Sequence, residues 1–370
     1  MKDIGPSRLI VSLTNRCNLQ CIMCSTHRLQ REVVRPPHID LPLTLADRLA
    51  DGAGDLMVIT VAGKGEPTLA PDFTGWIRAL RHMAPRAAIT LTTNAQTRRW
   101  PERVAPILGH LAEFHVSLNG VATYERVSGG ARFDRLESNL EWLYEAHSAL
   151  RNPPRLALGY VVMRDNVDEL DRAAAFAHEV GASRLHFKTM WVHGDDMRSR
   201  SIAHDRDLYR SAMREINRVS ERWSKRGLLV RSEFPEANTG RQRLAQAART
   251  FLHRPLYPPY DVHHFRRMLL TARRARGHAC ADPWDRPYIG EGGYVHLCCA
   301  SDILIGHLAD ATLGEHWRGA DAQRHRTGLD DGTPPSDCAR CPRIAGNSDG
   351  RNYEWYDEAS DTVRTRKATP

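Results

Sequence analysis

The chain has 370 residues, of which 41% are hydrophobic, and a formal charge of +8 at neutral pH. These values are typical of a globular protein, and no apolar run approaches the roughly 20 residues that a membrane span requires. The first residues lack the apolar stretch and cleavage site of a secretory signal, so we expect a cytoplasmic protein. In that reducing environment, the eight cysteines are better suited to binding metal than to forming disulfides.

Short β-branched runs alternate with amphipathic segments over about the first 225 residues. We predict strands at Leu9–Thr14, Leu56–Ala62, Ala88–Thr93, Phe114–Asn119, Leu156–Met163 and Leu185–Met190. We predict helices at Leu43–Gly52, Phe73–Ala84, Asp134–Leu150, Val167–Val180 and Asp205–Lys225. This alternation indicates a parallel sheet with right-handed crossovers.

Several of these strands carry polar residues at every second position. His115, Ser117 and Asn119 alternate with apolar residues in the fourth strand, and His186 and Lys188 do so in the sixth. Because alternate side chains of a strand point to opposite faces, one face of the sheet is apolar and the other is polar. Buried parallel strands are usually apolar on both faces, so this pattern favours a curved, incompletely closed barrel with a polar lumen.

Three cysteines, Cys17, Cys21 and Cys24, lie close together directly after the first predicted strand. Ligand sites of parallel α/β folds gather at this end of the strands. A fourth thiolate would complete a tetrahedral zinc or iron site, so three thiolates indicate a metal centre with one open coordination position.

The remaining five cysteines are near the carboxyl end of the chain. Cys280 precedes the hairpin-like segment YIGEGGYVHLCC, which ends in Cys298 and Cys299, and Cys338 and Cys341 form a CxxC pair. This spacing fits either a zinc ribbon or a four-iron cluster. Adjacent residues of a strand point to opposite sides, so Cys299 is the surplus thiol: a packed small residue, an alternative ligand, or a hydrogen donor.

The CxxxCxxC loop, with GKGEP after the second strand, TTN at the end of the third and VSLNG at the end of the fourth, resembles the radical S-adenosylmethionine (SAM) superfamily. The resemblance implies a partial barrel in which Cys17, Cys21 and Cys24 hold a 4Fe-4S cluster whose fourth iron binds SAM. It implies that SAM is bound by the residues at these strand ends, namely Met23, Gly65, Glu66, Asn94, Ser117 and Asn119. Lys64 stands where the family has glycine.

The segments CADPW, GYVHLCC, IGHLADATLGEHW and CARC resemble the SPASM auxiliary-cluster module in its single-cluster form, called twitch. The resemblance implies a second 4Fe-4S cluster held by Cys280, Cys298, Cys338 and Cys341. The expected fold is an α/β protein with a partial (β/α)6 TIM-like barrel followed by a small α+β module. The expected domains are the barrel at 1–226, an arginine-rich linker or lid at 227–279, the auxiliary-cluster module at 280–345 and a tail at 346–370.

The positive charge is concentrated between the barrel and the auxiliary module. Residues 227–279 contain ten arginines against Glu233, Glu236 and Asp261, a net charge of +7. Such a segment could attract an anionic substrate, a nucleic acid or an acidic electron-transfer protein, or it could simply be a solvated face.

The resemblance implies that a 5′-deoxyadenosyl radical removes hydrogen from the substrate. We expect an oxidoreductase that converts an alcohol to a ketone, or an epimerase in which Cys299 returns the hydrogen. His115, His186, Lys188 and Arg164 are the candidate bases. Only sixteen residues precede Cys17, which favours a small molecule over a peptide, such as an amino sugar, cyclitol or nucleoside of natural-product biosynthesis.

Two other functions remain open at this point. One is a peptide maturase that forms thioether or carbon–carbon crosslinks. The other is a zinc-ribbon protein that binds nucleic acid through the basic segment, although we expect no nucleic-acid partner for the enzyme. The enzyme would need a flavodoxin- or ferredoxin-type reductant, and no membrane partner is expected.

Overall fold

A computed structural model describes residues 5–24, 37–192, 195–234, 282–299 and 303–339, and the backbone of 352–357 and 362–365. The strands, in chain order, are β1 Arg8–Val11, β2 Gln20–Cys21, β3 Val58–Val61, β4 Ala88–Thr93, β5 Glu113–Ser117, β6 Ser128–Gly129, β7 Arg155–Val161, β8 Arg184–Lys188, β9 Trp191–Val192, β10 Leu229–Ser232, β11 Tyr288–Ile289, β12 Tyr294–His296, β13 Leu304–His307, β14 Asn352–Asp357 and β15 Thr362–Thr365.

The main sheet has ten strands in the order β10-β8-β7-β5-β4-β3-β1-β11-β12-β13. The strands from β10 to β11 are mutually parallel, whereas β12 and β13 continue the sheet in antiparallel pairs. All six predicted strands are present in this sheet, with their ends shifted by up to three residues. The predicted α/β fold with a mostly parallel sheet is therefore confirmed.

Helices connect the parallel strands. The α-helices are Asp47–Ala50, Phe73–Met83, Trp100–Val104, Tyr124–Val127, Phe133–Ser148, Leu170–Glu179, Asp195–Arg198, Arg206–Ser224, Leu313–Arg318, Ala320–Asp330 and Ser336–Ala339. Shorter 3-10 turns lie at Leu43–Leu45, Pro67–Leu69, Ala105–His110, Val167–Glu169, Ile202–His204, Asp282–Trp284 and Glu291–Gly293. Among the described helices, none has both the length and the apolar character that a membrane span requires.

The two faces of the sheet differ as the alternation predicts. Ile89 and Leu91 of β4 and Phe114 and Val116 of β5 are fully buried against the helices. The intervening residues are partly exposed on the opposite, concave side; they include Thr60, Thr90, Thr92, His115, Ser117, His186 and Lys188. Among the described residues, these polar side chains therefore line the partly exposed face of the sheet, which is the predicted lumen.

Three parts of the fold go beyond the sequence prediction. Leu229–Ser232, which the sequence analysis placed in the arginine-rich segment, is a parallel strand beside β8. The predicted hairpin forms between β11 and β12, but it extends the barrel sheet because β11 pairs in parallel with β1. The backbone of Asn352–Asp357 pairs with β9, so part of the carboxyl-terminal tail lies beside the barrel. These pairings join segments distant in sequence, which local patterns do not report.

A buried carboxylate anchors the carboxyl-terminal hairpin to the first strand. Asp285 is 2% exposed and accepts hydrogen bonds from the Ser7 hydroxyl and from the Arg8 guanidinium. Backbone hydrogen bonds continue the contact, since Ile10 N donates to Pro287 O at 3.1 Å. This anchor fixes where β11 meets β1.

We predict that Asp285→Asn lowers the free energy of unfolding by about 2–3 kcal/mol, because hydrogen bonds between charged groups are lost in a buried site. Urea unfolding of the variant measures the change. Asp51→Asn is the matched control: Asp51 accepts from Thr312 and Arg318 but is 45% exposed, so its loss should cost less than about 1 kcal/mol. Equal losses in the two variants would contradict the anchoring role.

Candidate active site at the carboxyl ends of the strands

The predicted site residues meet at one edge of the sheet. The cysteine loop follows β1, the GKGEP turn follows β3, Asn94 follows β4 and Asn119 follows β5. Because these strands are parallel, their carboxyl ends face the same mouth of the lumen. Lys188 ends β8 at the same edge.

The cysteine loop is held by backbone pairing. Gln20 and Cys21 form a short antiparallel ladder with Ser128 and Gly129. Ile22 N donates to Val127 O at 3.0 Å, and Cys24 N donates to Cys21 O at 3.1 Å. The loop is thus fixed from its far side, which leaves the cysteine side chains partly exposed.

The GKGEP turn packs its backbone directly on the cysteine loop. Glu66 N donates to Arg16 O at 2.7 Å. A Cβ atom on Gly65 would lie 2.4 Å from the carbonyl oxygens of both Thr14 and Arg16. Real Cβ atoms do not approach backbone this closely, so only glycine fits at position 65.

The Glu66 carboxylate is directed into the protein. Oε1 accepts from Thr68 Oγ1 at 2.6 Å and from Thr93 Oγ1 at 2.7 Å, and Oε2 accepts from Asn94 N at 2.7 Å. Burial raises the pKa of Glu66, whereas these donated hydrogen bonds act in the opposite direction. In this structure, Glu66 ties its own turn to the end of β4, and the turn presents its backbone to the cysteine loop.

Asn94 connects that network to the first cysteine. Its Nδ2 donates to Asn18 Oδ1 at 3.0 Å and lies 3.9 Å from Cys17 Sγ, within hydrogen-bonding range of sulfur. Its Oδ1 accepts from Gln96 N at 2.8 Å. Hydrogen bonds to ligand sulfurs tune the reduction potential of iron–sulfur clusters, so Asn94 is placed to influence a cluster at this loop.

The donor set fits a cubane cluster with an open iron. Burial raises the pKa of the Cys17 thiol to about 11 and that of Cys21 to about 12, so iron binding would release protons from these thiols. The described residues contain no group of three side chains that could share a single metal ion. A cubane cluster does not require three side chains around a single ion, because each thiolate binds a different iron. Cys17, Cys21 and Cys24 would therefore hold the cluster.

The other SAM-binding candidates lie around the same mouth. Asn119 has a positive φ of 49°, and its Oδ1 accepts from Val161 N at 2.9 Å, so its side chain joins the ends of β5 and β7. Ser117 is partly exposed at the end of β5. Met23 packs on a small apolar cluster that includes Met163. Their contacts with SAM stay predictions.

Two candidate bases lie together in the lumen. The rings of His115 and His186 stack with centroids 6.4 Å apart and planes 15° from parallel. A Cβ on Gly159 would lie 2.8 Å from His115 Nε2 and 3.4 Å from Lys188 Nζ, so both nitrogens converge on the bare strand at Gly159. Glu233 Oε1 is 3.8 Å from His186 Nε2.

Burial and the neighbouring positive charges favour the neutral forms of the two imidazoles. Burial, with the charges of Lys188 and Arg184, lowers the pKa of His186 to about 3. Burial and the neighbouring Lys188 and Arg184 likewise hold the pKa of His115 well below its usual range. Burial lowers the pKa of Lys188, although the charge of Glu233 partly opposes the shift. Both imidazoles are therefore neutral near pH 7.

Arg164 occupies a different place from the other candidate bases. Its Nη1 pairs with Asp205 Oδ2 at 2.9 Å, at the start of the helix Arg206–Ser224, and its side chain is 38% exposed. Because its guanidinium is engaged by Asp205, Arg164 is poorly suited to act as a base.

The auxiliary cysteines are only partly described. Cys298 and Cys338 are buried and Cys299 is exposed, whereas Cys280 and Cys341 lie outside the described residues. The opposite environments of Cys298 and Cys299 agree with their adjacency on one chain segment. The ligand set of the auxiliary cluster stays a prediction.

Sequence reasoning missed several residues that shape the site. Glu291, in the turn of the β11–β12 hairpin, is 8% exposed and accepts from Ser12 Oγ at 2.8 Å, with Lys64 Nζ 4.0 Å away. Gly159 was missed as well, although a glycine within an apolar strand signals a close approach. Glu291 gave no comparable signal, since its turn resembles an ordinary hairpin.

We predict that Gly65→Ala displaces the cysteine loop, because its Cβ would collide with two backbone carbonyls. The variant should retain clearly less iron than the wild type after anaerobic reconstitution and should bind SAM more weakly. Iron analysis and equilibrium dialysis with SAM measure both effects. Gly109→Ala is the control, since a Cβ there meets no atom within 4 Å. Normal iron content in Gly65→Ala would refute the packing argument.

We predict that the protein loses stability as pH falls below about 6.5, because unfolded His186 binds a proton that the folded form binds only near pH 3. One such proton lowers the free energy of unfolding by about 1.4 kcal/mol for each pH unit between about 6.5 and 3. It has no effect on stability above about pH 6.5. Urea unfolding between pH 4 and 8 should give a flatter pH dependence for His186→Gln than for the wild type. His82→Gln is the control, because His82 is exposed, and its stability should depend on pH as that of the wild type does.

Comparison with known families agrees with these motifs. The radical SAM superfamily pattern matches residues 11–177, and the SPASM iron–sulfur cluster-binding domain matches residues 280–342. A radical SAM domain uses a 4Fe-4S cluster and SAM, and a SPASM domain holds auxiliary iron–sulfur clusters. The second match disfavours the zinc-ribbon alternative.

Curated relatives match part of the chain. It is 27% identical over 185 residues to a probable GTP 3′,8-cyclase of Sulfurisphaera tokodaii, covering 48% of this chain and 54% of that protein. It is 30% identical over 183 residues to the mycofactocin maturase MftC of Mycolicibacterium smegmatis, covering 48% and 43%. The chain therefore spans about half the length of the curated relatives it matches.

A solved structure of similar fold covers more of the chain. SuiB of Streptococcus suis bound to S-adenosylmethionine superposes with a TM-score of 0.59 at 17% identity, covering 93% of this chain and 73% of SuiB. At this identity the likeness concerns the fold. The two family matches and the cysteine loop show that the chain carries a radical SAM domain and a SPASM iron–sulfur domain.

Proposed function

We propose that this chain is a radical SAM enzyme that removes hydrogen from a small polar molecule held in the barrel lumen, and that it oxidises an alcohol or epimerises a carbon centre. When bound, the reduced cluster and SAM supply a 5′-deoxyadenosyl radical. The polar lumen supports this proposal most strongly, because it opens at the edge of the sheet that carries the cysteine loop.

The lumen offers polar groups suited to several hydroxyls. Thr60 and Thr90 are hydrogen-bonded to each other at 3.2 Å, and Thr92, His115 and Ser117 continue the polar lining. The three threonines and Ser117 are partly exposed, so they can exchange solvent for a ligand. A polyhydroxylated or amino-substituted substrate would satisfy these donors and acceptors, whereas an apolar one would leave them unpaired.

The two reactions require different residues. Oxidation needs a base for the hydroxyl proton and an acceptor for one electron, for which the SPASM iron–sulfur centre is suited. Epimerisation instead needs a hydrogen-atom donor on the opposite face of the carbon, and Cys299 is exposed. That thiol would then have to be regenerated by an external flavodoxin- or ferredoxin-type reductant.

A peptide substrate is the second candidate. SuiB, which shares the fold, has been solved bound to the precursor peptide SuiA, with a TM-score of 0.57 at 14% identity. MftC, a partial sequence relative, is named a maturase. These relatives support a crosslinking maturase as the alternative. The polar lumen favours the small molecule.

We predict that anaerobically reconstituted protein with SAM and dithionite forms 5′-deoxyadenosine, and that glucosamine, myo-inositol or adenosine increases its rate. Chromatography with mass spectrometry measures 5′-deoxyadenosine and the product formed from the added alcohol. Oxidation lowers the substrate mass by two hydrogens, whereas epimerisation in heavy water adds one deuterium that Cys299→Ala should abolish. Cys17→Ala, which lacks a cluster ligand, is the negative control. If none of the three alcohols exceeds the substrate-free rate, the small-alcohol proposal is wrong.

A further inference from the structure

The side-chain amide of Asn94 is oriented by the main chain of a single residue. Its Oδ1 accepts a hydrogen bond from Gln96 N at 2.8 Å. The neighbouring Asn18 is oriented by the same residue, because its Nδ2 donates to Gln96 O at 2.9 Å. A backbone N–H can only donate and a backbone carbonyl can only accept, so oxygen and nitrogen cannot be exchanged in either side chain. The amide nitrogen of Asn94 therefore faces the amide oxygen of Asn18, 3.0 Å away.

The same amide nitrogen approaches the first cysteine of the loop. A side-chain amide nitrogen carries two hydrogens. One is donated to Asn18 Oδ1, and the sulfur of Cys17 lies 3.9 Å from the nitrogen, within the longer range of hydrogen bonds to sulfur. Asn94 is 8% exposed, so little solvent reaches the group. The second hydrogen is thus available to the Cys17 sulfur.

Asn94 is held in this position from the opposite side. Its backbone N donates to Glu66 Oε2 at 2.7 Å, and Glu66 Oε1 accepts from Thr93 Oγ1 at 2.7 Å. Both hydrogens of the amide nitrogen face protein atoms, and the backbone N–H is also bonded within the protein. These contacts direct Asn94 toward the cysteine loop, whereas the sequence resemblance implied a contact with SAM.

We propose that Asn94 donates an N–H···S hydrogen bond to Cys17 as a ligand of the cluster on the cysteine loop (the first cluster), and that this bond raises the reduction potential of the first cluster. The N–H dipole presents its positive end to the sulfur. A reduced cluster carries one more negative charge than an oxidised one, so the hydrogen bond stabilises the reduced form more. Asn94 is a positioning residue, because it acts through Cys17. The inference goes beyond the proposed function, since it holds for any substrate.

A redox titration followed by EPR tests the hydrogen bond in anaerobically reconstituted protein without substrate. Asn94→Leu is close to asparagine in shape and lacks the donor, so it should lower the midpoint potential of the first cluster. We expect the equilibrium constant for reduction to fall by up to about tenfold, which corresponds to about 59 mV for one electron. The EPR signal that changes when SAM is added identifies the first cluster among those that the protein holds.

Two further variants separate the hydrogen bond from other effects. Asn94→Asp keeps the oxygen that accepts from Gln96 N, loses the donor and adds a negative charge, so it should lower the potential further than Asn94→Leu. Asn15→Leu is the matched control, because the Asn15 amide precedes the same loop but bonds to the backbone of Pro37 and Ile39. Its potential should equal that of the wild type. An unchanged potential in both Asn94 variants, or an equal fall in Asn15→Leu, would overturn the inference.

Pulsed EPR detects the hydrogen bond in the wild-type protein, whatever amount of iron the variants retain. Protein is produced with asparagine that carries ¹⁵N only in the side-chain amide. The reduced first cluster should then show a ¹⁵N hyperfine coupling that unlabelled protein lacks, and Asn94→Asp should abolish this coupling. A labelled wild-type protein without the coupling would refute the hydrogen bond.

Equilibrium dialysis with SAM distinguishes the two roles of Asn94. With SAM binding expressed per cluster, Asn94→Leu should have a Kd within a few-fold of the wild-type value. A loss of SAM binding with an unchanged potential would make Asn94 a SAM contact and overturn the inference. None of these measurements uses an alcohol, so a protein that fails to oxidise or epimerise any alcohol refutes the proposed function and leaves the hydrogen bond to be judged by its own results.

Discussion

The site depends on the close approach of two loops that follow neighbouring parallel strands. The backbone at Gly65 lies directly against the carbonyls of Thr14 and Arg16, which leaves no volume for a side chain. The Glu66 carboxylate fixes this approach from behind by accepting hydrogen bonds from the end of β4. A glycine and a buried acid thus act as one unit, in which the glycine permits the contact and the acid holds it.

The lumen requires a second constraint, the strict separation of the two faces of the sheet. Apolar residues such as Ile89 and Phe114 bury one face completely, so the polar residues between them must face the concave side. That arrangement concentrates ionisable groups in a restricted space. The consequence is visible in the lowered pKa values of His115, His186 and Lys188, which keep both imidazoles neutral.

Local features were predictable from the sequence. The strand and helix positions, the polar lumen and the grouping of the strand-end motifs follow from periodicity and from the parallel arrangement. Long-range pairings were not predictable, because β1 with β11 and β9 with β14 join segments more than 150 residues apart. The inward orientation of the Glu66 side chain was not predictable either, because no sequence motif marks Thr68 and Thr93 as its hydrogen-bond donors. The close approach of other side chains to Gly159 could be recognised only after the structure showed that His115 and Lys188 are its neighbours.

Lys64, the departure from the family pattern, has a structural explanation. Its neighbour Gly65 must be glycine, but the Lys64 side chain is 61% exposed, so position 64 has room for a long side chain. From there Nζ lies 4.0 Å from Glu291, which Ser12 already holds at the end of β1. An ion pair at 4.0 Å that involves an exposed lysine contributes little free energy. The pair joins the turn after β3 to the β11–β12 hairpin, which lies in the segment that matches the SPASM domain, so a side chain at position 64 contacts that domain where glycine could not.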